Sequence, residues 1–530
     1  MTDISTSTYT PPGVYVTDAS VPTVLPLTVS TTTVTIVGPA QGYQTFSETV
    51  QVWVGNATLL AQQGIYTTAQ TGPPAIAAPV VTNLSGTVMV PGVDYSLVTV
   101  AGTNGGGSST TIQRLSSSTT NTALPSPNGL VDGAQVRISY SFTSPTYYTP
   151  QLYTDYTDIV AVYGTDLVTS LPSNPNASQV YSPVTLAARI ALENGAASVI
   201  ILPTNPADGN LRAQLQAAYA KIADNYAVQI LVPLLYDSTA YDAHTSANVA
   251  QLVQDVQTYI DACGAAGYGQ LAFVGVSASY DNTIPLSQLA TQVADKRIVL
   301  VYPNQMMLYN PNVGAATMVD GLYLAAACAG KLALQPVNWG LTRSLISSFT
   351  GLPASIAAQS TTSFKNGLSS SGVLVVETNR SNSLWVRHGV TTAMGSLLTQ
   401  EISLVRIADT LLQTLQVGME NSGLIGAPID VNMTTNVKAA LAGLLETAVS
   451  NAMIVAYTNL AVKQQSTNPS VIQATFSYQP AVPLNYITVS FTVDLTSGIT
   501  TASDSTLQAN TSSTGDDSGD TSDDTSSDGQ

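Results

Sequence analysis

The sequence is poor in charged residues, which make up 9% of its 530 positions. Soluble proteins carry about 25%. This scarcity predicts that much of the surface is covered in an assembly, or that it carries uncharged polar side chains instead. Basic residues are the scarcer sign, with 15 Lys and Arg against 32 Asp and Glu, for a net charge of −17. Because nucleic-acid binding needs basic stripes, no direct binding to nucleic acid is expected.

Cysteine and histidine are nearly absent, with two of each in the chain. Cys263 and Cys328 match neither a metal-binding spacing nor a disulfide framework. His244 and His388 are far apart in the sequence and have no cluster of Cys or Glu beside them, so no metal site is expected. No phosphate-binding loop or complete dinucleotide fingerprint occurs. The sequence therefore predicts no cofactor.

Long apolar runs are also missing. No stretch reaches the about 18 residues that a membrane span requires, and the longest candidate, Leu322–Leu334, is typical of a buried helix. The first ten residues are polar, which does not fit a secretory signal. We therefore expect a protein of cytosolic origin that does not insert into a membrane.

The two ends of the chain differ in composition from its middle. Residues 1–44 predict an extended, proline-punctuated arm around Val14, Tyr15 and Val16, and then a first strand at Thr31–Val37. We expect this region to pack with the C-terminal domain. Residues 496–530 are an acidic, low-complexity tail and are predicted to be disordered.

Three folded regions are expected between these ends. Residues 45–150 predict a β-rich outer domain of variable structure, with strands near Thr87–Val90, Tyr95–Val100, Thr110–Leu115 and Val136–Phe142. Residues 151–370 alternate short apolar strands with helices, which is typical of a parallel sheet covered on both faces. The predicted strands are Asp158–Tyr163, Ser198–Leu202, Val228–Leu234, Leu271–Val276 and Arg297–Tyr302, and the last predicted helix is Ala315–Lys331. The fold class is thus α/β plus β.

Residues 371–495 predict a C-terminal α+β assembly domain. It begins with two strands, Val373–Glu377 and Leu384–His388, and continues with two amphipathic helices, Ile402–Val417 and one around Val437–Ala448. Two alternating strands follow, Ile472–Tyr478 and Tyr486–Leu495. The last strand carries its apolar side chains on one face, which we expect to lie in a subunit interface: Ile487, Val489, Phe491, Val493 and Leu495.

Two alternatives come from polar and aromatic clusters in the α/β region. Asp237, Asp242 and His244 follow one strand and Ser277 and Ser279 follow another, which are the parts of a serine hydrolase triad in that chain order. No nucleophile motif surrounds either serine, and such residues are also the ordinary caps of helices and turns. A cluster of tyrosines favours either a surface that binds carbohydrate or half-buried packing: Tyr147, Tyr148, Tyr153 and Tyr156.

Several motifs, in this order, resemble the tail sheath family of contractile phages, tailocins and related injection machines. The motifs are Pro12–Val16, Tyr153–Gly164 (YTDYTDIVAVYG), Val373–Glu377, Val386–Thr392 (VRHGVTT), Glu401–Leu412 (EISLVRIADTLL) and Tyr486–Leu495. They cover the N-terminal arm and roughly residues 150–495. Residues 45–145 fall where that family carries variable insertions, and the acidic tail departs from its pattern.

The resemblance implies a structural protein of the virion and not an enzyme. Its α/β domain is expected to be subtilisin-like in fold, without catalysis. Subunits of this family form six-membered rings stacked around a tail tube, and the partners implied are other copies, the tube protein, and the baseplate and terminator proteins. Arms at both chain ends add strands to sheets of neighbouring subunits, which makes Val14, Tyr15, Val16, Ile487, Val489, Phe491 and Val493 the expected interface residues. Contraction drives the tube through the host envelope and delivers the genome.

Overall fold

The computed structural model describes residues 17–18, 23–24, 33–40, 43–59, 80–100, 109–143, 147–167, 180, 182–205, 210–223, 228–236, 244–266, 269–311, 314–485 and 487. The elements of the first half are β1 (Thr17–Asp18), β2 (Thr23–Val24), β3 (Thr33–Pro39), β4 (Tyr43–Val52), β5 (Thr58–Leu59), β6 (Val80–Asn83), β7 (Tyr95–Val100), β8 (Ser109–Arg114), β9 (Ala134–Thr143), β10 (Gln151–Tyr153), α1 (Tyr156–Tyr163), α2 (Pro183–Glu193), β11 (Ser198–Thr204), α3 (Leu211–Ile222), β12 (Ile230–Pro233) and α4 (Ser246–Ala266). The second half contains β13 (Leu271–Gly275), α5 (Leu286–Val293), β14 (Ile298–Tyr302), β15 (Gln305–Asn310), β16 (Ala315–Asp320), α6 (Gly321–Leu334), β17 (Leu345–Ile346), α7 (Ala354–Gln359), α8 (Thr362–Ser370), β18 (Val373–Thr378), β19 (Leu384–Val386), α9 (Leu397–Gln400), α10 (Ile402–Glu420), α11 (Met433–Ser450), β20 (Ile454–Gln464) and β21 (Ile472–Pro480).

A nine-stranded sheet forms the centre of the fold, in the order β10-β11-β3-β12-β13-β14-β18-β19-β17. The strands from β11 to β18 run parallel. At the two ends of the sheet the pairing is antiparallel: β10 with β11 at one end, and β19 with both β18 and β17 at the other. Helices α1, α2 and α6 contribute to the apolar core on one face, and α3, α4, α5 and α8 to the core on the other. The α/β class predicted from the sequence is confirmed.

The first predicted strand lies elsewhere than expected. Strand β3 pairs with β11 on one side and β12 on the other, in the middle of the central sheet, and does not belong with the C-terminal segment. Every residue of β3 is buried. The strand carries no charged side chain, and its only polar side chains are two small threonines, Thr33 and Thr35, which suits a position covered on both faces in the interior of a parallel sheet.

The central sheet also extends past residue 370. The segments predicted to open a separate C-terminal domain are β18 and β19, which continue the sheet from β14. The first four residues of the predicted strand Val373–Glu377 are at most 2% exposed. The predicted boundary at residue 371 therefore falls inside the sheet.

Two local predictions in the α/β region were wrong. The segment Asp158–Tyr163, predicted as a strand, lies in helix α1, because the Asp155 carboxylate accepts a hydrogen bond from the Thr157 amide and caps the helix. Ala315–Lys331, predicted as one helix, begins as strand β16. This strand pairs with β15 along its whole length, and α6 begins only at Gly321.

Two three-stranded sheets, β4-β9-β6 and β5-β8-β7, build the β-rich region. The predicted strand Thr87–Val90 makes only an isolated bridge at Val88, and β6 takes its place. Arg114, 1% exposed, forms an ion pair with Asp132 at 2.7 Å and donates to the Leu124 carbonyl at 2.7 Å. A buried guanidinium must be paired and hydrogen-bonded, so this side chain organises the loop between β8 and β9.

Candidate subunit interface

A two-stranded antiparallel ribbon, β20–β21, follows helix α11. Its register runs from Ile454 opposite Pro480 to Gln464 opposite Ile472, with two irregularities. One face packs against an apolar cluster of α10 and α11 through half-buried side chains: Tyr457, Leu460, Val462, Phe476 and Tyr478. The alternation of these residues fixes which face of the ribbon is covered.

Both outer edges of this ribbon are unpaired in the part of the chain that the structure describes. A strand at an edge presents a row of backbone N–H and C=O groups that another strand can pair with. A two-stranded ribbon is also marginal in stability by itself. The ribbon therefore has the geometry of an acceptor for strands from elsewhere.

Helix α10, on which the ribbon packs, is itself attached to the central sheet. Asp409 on α10 forms an ion pair with Arg297, at the start of β14, with 2.5 Å between Oδ1 and Nη2. Burial alone would lower the pKa of Arg297, but Asp409 raises it above its ordinary value. Burial lowers the pKa of Arg406, also on α10, to about 10, and its guanidinium donates to the Gln335 carbonyl at 3.4 Å. These contacts fix the orientation of α10.

Most of the predicted interface residues lie outside the described residues: Val14, Tyr15, Val16, Val489, Phe491 and Val493. Residues 486–530 form a unit separate from residues 1–485. Ile487 is described in that unit and is 78% exposed. The interface role of these seven residues stays a prediction.

The structure assigns the candidate triad residues to turns. Ser277 Oγ accepts a hydrogen bond from the Ser279 amide at 3.2 Å, and the Asp320 carboxylate accepts from the Ala278 amide at 2.7 Å. The His244 carbonyl accepts from the Asp281 amide at 3.0 Å, and Asp281 in turn caps α4 through the Ser246 amide at 3.1 Å. Asp237 and Asp242 lie outside the described residues. The serines thus make the turn contacts typical of caps.

The tyrosine cluster is part of the packing of the α/β region. Tyr147 and Tyr153 pack against the core on one face of the sheet, and Tyr148 packs against the core on the other. The rings of Tyr153 and Tyr163 meet edge to face with centroids 5.8 Å apart. Burial raises the pKa of Tyr156 and of Tyr163 above the ordinary value. This arrangement matches half-buried packing and not a carbohydrate groove.

No group of His, Cys, Asp and Glu in the described residues is placed to hold a metal ion. His388 instead contacts the buried Glu401 carboxylate, with 2.5 Å between Nε2 and Oε1. Both cysteines are buried as thiols, and burial raises the pKa of the Cys328 thiol. None of the described helices is long and apolar enough to span a membrane.

Two functional features are absent from the sequence-based prediction. Strand β20 is one, although its run of Val, Tyr, Thr and Leu directly after a helix is a usable strand signal. The pairing of His388 with Glu401 is the other. The two residues belong to the separate motifs VRHGVTT and EISLVRIADTLL, and only the folded chain brings them together.

No protein-family model matches the sequence. The chain is similar to the tail sheath protein of Mycobacterium phage Bxz1, with 31% identity over 429 residues, covering 78% of this chain and 68% of that protein. Among solved structures, it is similar to the helical sheath of the anti-feeding prophage in the contracted state, at 13% identity and a TM-score of 0.48, covering 66% of this chain and 90% of that one. It is also similar to the sheath tail protein of Desulfitobacterium hafniense, at 12% identity and a TM-score of 0.41, covering 88% and 97%. The similarity in sequence extends over most of both proteins, so it concerns more than one domain.

Proposed function

The chain belongs to the tail sheath protein family, and from that premise we propose that it polymerises around a tail tube by exchanging strands between subunits. Membership in a family of structural tail proteins confirms that the chain is a structural protein and not an enzyme. It is a component of a virion tail.

The edges of the β20–β21 ribbon, which pair with no strand of the described residues, carry this proposal. The ribbon offers strands of 11 and 9 residues. The alternating segment Tyr486–Leu495 spans roughly 33 Å at about 3.3 Å per residue, so its length matches the ribbon. The patch Val14–Val16 belongs to a segment long enough to reach on the order of 90 Å when extended. Each segment is suited to pair with the ribbon of another subunit.

Strand addition of this kind would supply both affinity and register. Main-chain hydrogen bonds each contribute about 1 kcal/mol net, and each buried apolar side chain about 1.5–3 kcal/mol. The apolar face formed by Ile487, Val489, Phe491 and Val493 fixes the register, because a slip of one residue would turn these side chains to solvent. Subunits linked through such strands can rotate past one another without separating.

The assembly that we propose consists of six-membered rings stacked helically around the tube. The central sheet serves as the subtilisin-like sheath domain, without catalysis, and residues 45–150 lie at the outside as a variable domain. The baseplate and terminator proteins contact the two ends of the sheath, which contracts to drive the tube through the host envelope. The sheath is assembled in the host cytoplasm. Residues 496–530 act as a disordered tail.

Negative-stain microscopy of the purified full chain tests this function. Long hollow tubes are expected, and averages of end-on views should show sixfold symmetry. A chain ending at Asn485 is expected to keep its circular dichroism spectrum and to form no tubes, because it lacks the final strand. Particles that remain monomeric for the full chain under all assembly conditions would contradict the proposal.

A further inference from the structure

Three polar side chains from distant segments meet at the point where the described C-terminal segment ends. The Asn485 side-chain amide donates to Glu401 Oε1 at 2.8 Å and lies 3.4 Å from His388 Nε2. His388 Nε2 is itself 2.5 Å from the same carboxylate oxygen. Asn485 is 84 residues from Glu401 and 97 from His388 in the sequence. We call these three residues the arm anchor.

We propose that Asn485 is the positioning residue that fixes the root of the C-terminal arm, through Glu401 and His388, to the central sheet. This inference rests on the proposed strand exchange, in which the segment after Asn485 pairs with another subunit. It adds a fixed starting point for that segment, at a site other than the ribbon.

The two partners of Asn485 belong to rigid parts of the fold. Glu401, 0% exposed, lies directly before α10, where a negative charge favours the helix N-terminus. His388 follows β19 by two residues, next to Arg387, whose amide donates to the Val375 carbonyl of β18 at 2.8 Å. The anchor therefore joins the arm root to the central sheet and to the start of α10 at once.

Burial makes the anchor selective for an amide at position 485. The Glu401 side chain is 0% exposed and that of His388 is 14% exposed, so the carboxylate needs donors from protein groups. His388 and Asn485 both supply a donor to Oε1. Hydrogen bonds to a charged group are stronger than those between neutral groups. An aspartate at position 485 would instead place a second carboxylate beside Glu401.

The segment before Asn485 has few apolar attachments of its own. Val482 is 56% exposed and Leu484 is 77% exposed. Ala481 donates to the Met453 carbonyl at a long 3.4 Å. The Asn485 side chain thus holds a chain segment whose large side chains face solvent, and a pull on the arm would reach the sheet through the anchor rather than through the ribbon.

Hydrogen exchange of the full-length, unassembled protein tests the anchor directly. With Asn485→Ala, we expect the backbone amides in residues 482–487, apart from Pro483, which has no N–H, to exchange about tenfold faster, the factor that the loss of one hydrogen bond to a charged group gives. Asn485→Asp should exceed this factor, because it also adds like-charge repulsion. The matched control is Asn338→Ala, which removes another amide hydrogen bond near the ribbon, to the Ala452 carbonyl at 2.9 Å. The control should leave residues 482–487 unchanged.

A double variant separates anchoring from a general loss of structure. Glu401→Gln together with Asn485→Asp exchanges the acid and the amide, so a donor again faces an acceptor. We expect exchange at residues 482–487 to return toward the wild-type rate, and tubes of the double variant to resist dilution better than those of Asn485→Asp alone. If the double variant shows no such rescue, the exchange rate of residues 482–487 in Asn485→Ala is the deciding measurement. A rate within about twofold of wild type would show that Asn485 does not anchor the arm.

The exchange measurement and the proposed function fail separately. If the wild-type chain forms no tubes, strand exchange is wrong, whereas faster exchange in Asn485→Ala would still show a tether at residue 485. If wild-type tubes form and all three position-485 variants exchange and assemble like wild type, the sheath function stands and the anchor is wrong.

Discussion

Arg297 and Asp409 form an ion pair with 2.5 Å between Nη2 and Oδ1, although 112 residues separate them in the sequence. The Arg297 side chain is 4% exposed. Arg297 directly precedes β14, and Asp409 lies near the middle of α10. The pair therefore connects the central sheet to the helix on which the ribbon packs. A cation buried this deeply depends on its partner.

Replacing Asp409 by Ala should cost roughly 3 kcal/mol or more in the free energy of unfolding, because Arg297 would remain buried without its closest counter-charge. Asp255→Ala is the matched control. Its partner Arg212 is 37% exposed at a distance of 2.5 Å, so the loss should be about 1 kcal/mol or less. Urea unfolding of both variants measures the difference. Equal losses in the free energy of unfolding would show that burial does not increase the contribution of the Arg297–Asp409 pair to stability.

A second prediction concerns the close approach of α6 to α2. A Cβ atom at Gly330 would lie 2.2 Å from the Ala191 carbonyl oxygen, so the two helices touch through backbone at this point. Gly330→Ala should therefore destabilise the chain by about 1–3 kcal/mol through overpacking. Gly443→Ala, in α11, meets nothing within 4 Å and should stabilise by about 0.5–1 kcal/mol. Thermal or urea unfolding distinguishes the two signs, and the same sign for both would contradict the packing argument.

The alternation of strands and helices in residues 198–302 is predictable because each buried strand is a short apolar run bounded by turn residues. Strand order is not predictable in this way. Strand β3 precedes the β-rich region in the chain, yet it pairs with β11 and β12 far downstream. Its sequence shows that it is buried, but a local pattern does not identify the neighbours that cover it.

Short segments were the main source of error in secondary structure. The run from Asp158 to Tyr163 is apolar enough for either a strand or a helix, and such runs are ambiguous by periodicity alone. The hydrogen bond from the Thr157 amide to the Asp155 carboxylate caps the N-terminus of the segment and favours the helix. The arm anchor was unpredictable for a different reason. Its three residues become neighbours only through tertiary structure, and Asn485 has no local feature that marks it.

Glu377 provides a prediction about pH. Its carboxylate accepts from Lys365 Nζ at 2.6 Å and from Arg387 Nη1 at 3.0 Å. Burial would raise its pKa, but Lys365 and Arg387 bring the pKa below the ordinary value of 4.5. A carboxyl group with a lowered pKa stabilises the fold above its ordinary pKa, and this contribution is lost as the pH falls through the lowered value.

Wild type should therefore be more stable than Glu377→Gln near neutral pH, and the difference in the free energy of unfolding should shrink as the pH falls below 4.5. The measurement is urea unfolding of both proteins across the acidic range. A difference that stays constant, or grows, on acidification would show that the ion pairs of Glu377 do not contribute in this way.

The last prediction concerns the side chains that we expect to enter a neighbouring subunit. In the final strand that the sequence predicts, Val489 and Phe491 alternate with Thr488 and Ser490, so the pattern assigns the two pairs to opposite faces. Val489→Asp with Phe491→Asp should abolish tubes, because each buried apolar side chain contributes about 1.5–3 kcal/mol and a carboxylate cannot replace it. The paired control, Thr488→Asp with Ser490→Asp, adds the same charge to the opposite face and should still assemble.

The two variants have arms of the same length, the same main-chain hydrogen-bonding groups and the same net charge. Circular dichroism should match wild type for both, because residues 1–485 form a separate unit. Negative-stain microscopy and sedimentation then report only the effect of the face. Tubes from both variants would show that the arm does not bury this face in a partner. Loss of tubes in both would show that added charge, and not the alternation of the strand, prevents assembly.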